Sequence, residues 1–195
     1  AWIFNIYGQK DVRVLDGGRV KWEKDGRPLT TAVPSFPAGN FTATKADKAL
    51  RATLINDVLP VAKKRVKADL VDIRGADEYN GKIFAAPGFQ ELAVRAGHIP
   101  GAVNVPWGAN VNADGTFKTV AELKKLYADK GIDGKQNIIT YCRIGERSSH
   151  TWFVLTYLLG FKNVRNYDGS WTEWGSLVGV PIVKGIEPGL APAAK

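Results

Sequence analysis

From residue 70 onward, short apolar runs alternate with polar stretches that carry glycine, aspartate or lysine. The order predicted is strand (70–73), loop, helix, strand (103–105), helix (120–129), strand (137–141), helix (148–159), strand (164–167) and a last helix. The strand over 137–141 is a nearly unbroken β-branched run, which is how a strand covered on both faces reads. Strands alternating with helices predict an α/β fold in three layers, a central and mostly parallel sheet with helices on both faces.

The first third of the chain repeats part of this pattern. Gly8, Lys10, Val12, Arg13, Asp16, Gly17 and Trp22 match Gly160, Lys162, Val164, Arg165, Asp168, Gly169 and Trp174 at a constant offset of 152. Each copy predicts a helix closing on a glycine cap, a short strand, a turn at Asp-Gly and a helix around the tryptophan. Residues 1–33 are therefore expected to be the C-terminal remnant of a first, degenerate unit, and 68–195 a second unit with a C-terminal tail. Between them, 34–67 is a connector in which Pro34 and Pro37 break the chain and a helix over 47–59 is ended by Pro60. The offset leaves roughly 85 residues of the first unit outside the sequence. Such a remnant would expose the apolar face of its helix over 2–6, so a companion chain or a missing segment is expected to complete it.

The composition narrows the function. With 195 residues, 45% hydrophobic and 24% charged, the chain can bury a core, and no apolar run approaches the length that crosses a bilayer. The net charge of +8 could suit nucleic acid or acidic surfaces, and equally small anionic ligands. Its densest basic run, Lys63, Lys64, Arg65 and Lys67, lacks interleaved aromatics and reads as a solvated helix face, so neither nucleic acid nor membrane is expected as a partner. One cysteine, with no intact targeting signal in view, leans towards the cytoplasm. It also excludes an internal disulfide, and with only His98 and His150 it cannot furnish an ordinary structural zinc site without carboxylates.

That cysteine, Cys142, follows the predicted buried strand at its carboxyl end, where open α/β sheets bind ligands. Arg143, Ile144, Gly145, Glu146 and Arg147 come next, then Ser148 as the expected N-cap of an apolar helix. Backbone N–H groups, a helix N-terminus and two arginines around a sulfur all favour the thiolate, the nucleophilic form. A buried inert cysteine is the plainer alternative for a lone Cys; strand end, glycine loop and flanking arginines argue against it.

Four segments then carry a family resemblance: Val71-Asp-Ile-Arg-Gly-Ala-Asp-Glu-Tyr79, Gly97-His-Ile-Pro-Gly-Ala102, Cys142-Arg-Ile-Gly-Glu-Arg147 and Asp168-Gly-Ser-Trp-Thr-Glu-Trp174. In this order and spacing they resemble the tandem rhodaneses, thiosulfate sulfurtransferases, across essentially the whole chain. The resemblance implies a catalytic second domain and a degenerate first. It implies that Cys142 takes the outer sulfur of thiosulfate as a persulfide, releases sulfite, and gives the sulfur to cyanide or a thiol. No metal and no organic cofactor is implied. Cys142 is the expected catalytic residue, with Arg143, Ile144, Gly145, Glu146 and Arg147 around the substrate. Arg143 matches the basic loop position of thiosulfate enzymes, where mercaptopyruvate sulfurtransferases have Gly. Ile144 departs from the frequent Lys, and Arg147 stands where Thr is usual and could restore the missing charge. Glu146 could balance the local positive charge. Asp72, Arg74 and His98 are expected as structural groups near the site, His150 as structural, and Trp171 and Trp174 as core, one of them bordering the pocket mouth.

Three rivals stand beside this assignment. Cysteine phosphatases use Cys-x5-Arg, a wider loop than the Cys-x4-Arg formed by Cys142 and Arg147. A mercaptopyruvate-type donor would use the same cysteine. A non-catalytic interaction module of the same fold would need neither the cysteine nor the two arginines.

Overall fold

The computed structural model describes residues 1–88 and 93–191. Two short helices, α1 (Trp2–Ile6) and α2 (Gly18–Lys24), precede a connector that ends in α3 (Leu59–Ala62). Then come β1 (Asp69–Asp72), α4 (Ala76–Tyr79), β2 (Val103–Asn104), α5 (Val120–Ala128), β3 (Ile138–Tyr141), α6 (Glu146–Phe153), β4 (Val164–Tyr167) and α7 (Ser170–Trp174). The strands form one parallel sheet in the order β2-β1-β3-β4. Asp72 pairs with Tyr141 and Tyr141 with Tyr167, so three strands finish at one level and their following residues share the carboxyl edge.

Alternate strand residues feed two cores, as the period of two requires. Val71, Ile138 and Val164 point into a layer with Trp2 and Ile6 of α1, Leu123 and Tyr127 of α5, and Trp152 of α6. Leu70, Ile139, Tyr141 and Tyr167 point the other way, onto Ala62 of α3 and Trp171 and Trp174 of α7. Both tryptophans of α7 are fully enclosed, so neither borders a pocket mouth. The expected three layers are present. Among the described residues no helix is long and apolar enough to cross a membrane.

Several local expectations need correction. Residues 12–15 form no strand, because no neighbouring chain offers them a ladder. The helix expected over 47–59 breaks into a 3-10 turn (Lys48–Leu50), an extended stretch bridging Arg51 to Asn166, and a π turn (Leu54–Val58) that runs into α3. Pro60 does not end a helix but sits in the first turn of α3, where its missing N–H is no loss. Lys63, Lys64, Arg65 and Lys67 lie on an exposed turn after α3 rather than on a helix face, with Lys64 at φ 56°. Gly145, not Ser148, caps α6, which starts two residues earlier than expected.

Candidate functional site

β3 carries the chain to the carboxyl edge of the sheet and releases Cys142 into the loop before α6. Gly145 turns that loop with φ 86°, and a Cβ there would lie 2.6 Å from the Asp168 Cα, so space and backbone both demand glycine. The turn aims the Gly145 N–H at the Cys142 sulfur, 3.1 Å away. The Ser148 hydroxyl stands 3.5 Å from the same sulfur. The Cys142 backbone is fixed from β4 and α7: its N–H donates to Ser170 Oγ at 3.1 Å, and its carbonyl accepts from the Trp171 N–H at 3.1 Å. Thr172 N–H donates to the Arg143 carbonyl at 2.9 Å. Ser170 holds this place at φ 52°, an uncommon backbone state for a non-glycine residue. Cys142 is fully enclosed, at 0% exposure.

The loop brings Cys142, Arg143, Gly145 and Arg147 together. Arg143 is buried, while Ile144 and Glu146 face solvent at the rim. Arg147 makes a two-pronged pair with Glu78 of α4, both contacts 3.1 Å. Burial alone would lower the Arg147 pKa, but the Glu78 carboxylate, with the Cys142 sulfur, raises it. Glu78 is itself buried and also accepts the Gly75 N–H at 3.1 Å. The Arg147 charge is therefore shared with Glu78.

Asp72, the last residue of β1, and Arg74 just past it form a fully buried pair at 2.6 Å. Arg74 also donates to the Gly97 carbonyl at 2.7 Å and lies 4.5 Å over the Trp171 ring, tying β1 to α7 beneath the site. Burial would lower the Arg74 pKa, but Asp72 outweighs it and holds the charge. His98 stacks on Tyr79, with its ring nitrogens 2.8 Å from the Tyr79 carbonyl and 3.0 Å from the Glu187 carbonyl. It clasps the C-terminal stretch and stands apart from the loop. His150 lies among Trp107 and Phe117, where burial lowers its pKa.

The sequence assigns no role at the site to Glu78, Asn166 or Ser170, and to Ser148 only that of an N-cap. Asn166 is fully buried in β4, donates to the Gly145 carbonyl at 3.0 Å and accepts from the Ser148 hydroxyl at 2.6 Å. The available signal was a lone Asn inside a strand buried between two layers, since a buried amide must find partners.

Residues 58–177 match the family described as Rhodanese-like domain. Over 189 residues the chain is 55% identical to the Sulfur carrier protein TtuD of Thermus thermophilus, covering 95% of this chain and 66% of that protein. It is also 55% identical over 185 residues to a Mycolicibacterium smegmatis protein named "Putative thiosulfate sulfurtransferase", covering 94% of this chain and 65% of the relative. The chain thus spans just under two thirds of the curated relatives it matches. Among solved structures, EanB holding a cysteine persulfide with ergothioneine in a tetrahedral intermediate state superposes with a TM-score of 0.81 at 28% identity, over 96% of this chain and 45% of EanB. The wild-type EanB structure gives 0.80 at 27%, over 95% and 44%.

Proposed function

From a chain that belongs to the rhodanese-like domain family, we propose a sulfurtransferase in which Cys142 carries sulfur from thiosulfate to a thiol or cyanide. The observation that carries this is the sulfur at the carboxyl end of β3, with the Gly145 N–H on it at 3.1 Å inside a four-residue turn. A turn that small encloses a single sulfur atom more readily than a phosphate. In the step envisaged, the Cys142 thiol and thiosulfate give the persulfide Cys142–S–S⁻ and bisulfite, the thiol proton leaving with the sulfite. Hydrogen cyanide then takes the outer sulfur as thiocyanate and returns the proton to Cys142. Arg143 and the N-terminus of α6 are the groups that would favour the anionic donor. Glu78 already engages Arg147, so Arg147 would serve first to hold the loop.

The same reading extends to the whole protein. Ile3, Phe4, Leu15 and Val20 of the first 33 residues are exposed, and this supports a companion segment that completes a first domain.

Intact mass after thiosulfate treatment tests the mechanism: a gain of one sulfur atom on wild type, lost on adding cyanide, with none on Cys142→Ser. Arg143→Ala should cost donor use about 1.5–3 kcal/mol in kcat/KM, the worth of a hydrogen bond to a charged group. Arg143→Gly should move preference towards mercaptopyruvate. A wild-type protein that gains no sulfur from any donor would leave the non-catalytic module standing.

A further inference from the structure

Cys142, Gly145, Asn166 and Ser148 form a closed ring of hydrogen bonds around the sulfur. The Gly145 N–H donates to Sγ at 3.1 Å; Asn166 Nδ2 donates to the Gly145 carbonyl at 3.0 Å; Ser148 Oγ lies 2.6 Å from Asn166 Oδ1; and Ser148 Oγ lies 3.5 Å from Sγ. Cys142, Ser148 and Asn166 are all completely buried.

The ring leaves little freedom for its hydrogens. A carbonyl cannot donate, so the Asn166 amide must turn its Nδ2 to Gly145 and its Oδ1 to Ser148. Oδ1 only accepts, and at 2.6 Å it must hold the single hydrogen of the Ser148 hydroxyl. Ser148 Oγ then presents a lone pair to the sulfur, which suits a thiol able to donate its S–H. It does not suit a thiolate, because two acceptors would face each other with no hydrogen between them. When the cysteine proton leaves, the one hydrogen that can answer from this side is that of Ser148.

We propose that the Ser148 hydroxyl is a two-position donor, resting on Asn166 while Cys142 carries its proton and turning onto the sulfur when that proton is lost. Ser148 is a positioning residue that makes the reactive form available, and Asn166 is the acceptor that competes with the sulfur for its hydrogen. The inference builds on the assigned role of Cys142 in sulfur transfer, but its test needs no sulfur donor.

The chain has one cysteine. Thiolate absorbance in the ultraviolet can therefore be followed against pH on the whole protein, with Cys142→Ser as the blank. The charged groups around the loop are Arg143, Glu146 and Arg147 on it, Glu78 on α4, Asp72 at the end of β1 with Arg74 past it, and Asp168 past β4; neither substitution below replaces any of them. Ser148→Ala removes the donor, and the thiolate should appear about one pH unit later, a tenfold loss of thiolate at fixed pH. Asn166→Ala removes the competing acceptor, and the thiolate should appear earlier than in wild type. Opposite displacements from two touching residues are what a shared hydrogen produces. If both substitutions merely loosened the loop, both would delay the thiolate, and that result overturns the proposal, as does a Ser148→Ala curve that coincides with wild type. Should Ser148→Ala fail to fold by circular dichroism, the Asn166→Ala curve decides alone: earlier supports the shared hydrogen, unchanged or later sinks it. Failure to form a persulfide with thiosulfate is a separate outcome and would count against the sulfurtransferase reading only.

Discussion

Trp22 and Trp174 occupy equivalent places in two copies of one pattern, and their surroundings differ. α2 and α7 begin at equivalent positions, and each indole N–H donates to a carbonyl shortly downstream, Pro28 in one case and Pro181 in the other, both at 2.9 Å. Yet Trp174 is wholly enclosed and α2 buries no residue at all. The preceding segments diverge further: 164–167 is β4, paired along its length with β3, whereas 12–15 pairs with no strand. Arg165 pairs with the half-buried Asp57, while Arg13 reaches Asp11 in full solvent. Similar residues thus form helix and indole contact locally in both places, but strand and core only where a sheet supplies neighbours.

The widest gap should appear in amide hydrogen exchange. Amides of 164–167 are expected to exchange only on global unfolding, and those of 12–15 with almost no protection, a spread of several kcal/mol in opening free energy. Comparable protection in both segments would show that the first copy needs no ladder to hold it. Next in size, Trp174→Ala should cost about 3–5 kcal/mol in urea unfolding, a buried large-to-small change. Trp22→Ala should cost about 1 kcal/mol, the ordinary size for a site that leaves no core cavity. Equal losses would break the comparison. Smallest is the arginine pair: Arg165→Ala should lose about 1.5–3 kcal/mol, and Arg13→Ala nothing measurable. The Arg165 effect should depend on pH with a definite sign. Burial raises the Asp57 pKa, but the Thr53 N–H and Arg165 outweigh it and leave it below the ordinary carboxylate value. A depressed folded value means stability present above the unfolded value and lost as pH falls through the folded one. The difference between Arg165→Ala and wild type should therefore shrink in strong acid, and a difference that grows there would contradict the pairing.

The sheet was legible in the sequence because its central strands are buried on both faces. The apolar runs at 70–73 and 138–141 are too short for a buried helix and too continuous for a loop, and Cys142 at the end of one drew the site with it. The connector was less legible: the pattern over 47–59 has helical spacing, but the Arg51 bridge to β4 interrupts it and the π turn over Leu54–Val58 changes its period. Contacts remote in sequence were beyond reach. Glu78 meets Arg147 across 69 residues and Asn166 meets Ser148 across 18, and no local periodicity records either pairing. Ser148 was visible but placed as a cap, since the positive φ of Gly145 shifts the start of α6 upstream.

Asn5 Nδ2 donates to the Tyr157 hydroxyl at 2.9 Å, and the two residues are 152 apart, the offset of the repeat. Their neighbours in register, Ala1 and Phe153, line one shallow cleft. Residues one repeat apart in the sequence therefore meet in space. α1 packs on α6 and on the turn that follows it, so the two stretches of repeated pattern meet along these helices. Both sides of this contact belong to one polypeptide, so a substitution at Asn5 need not be matched by one at Tyr157.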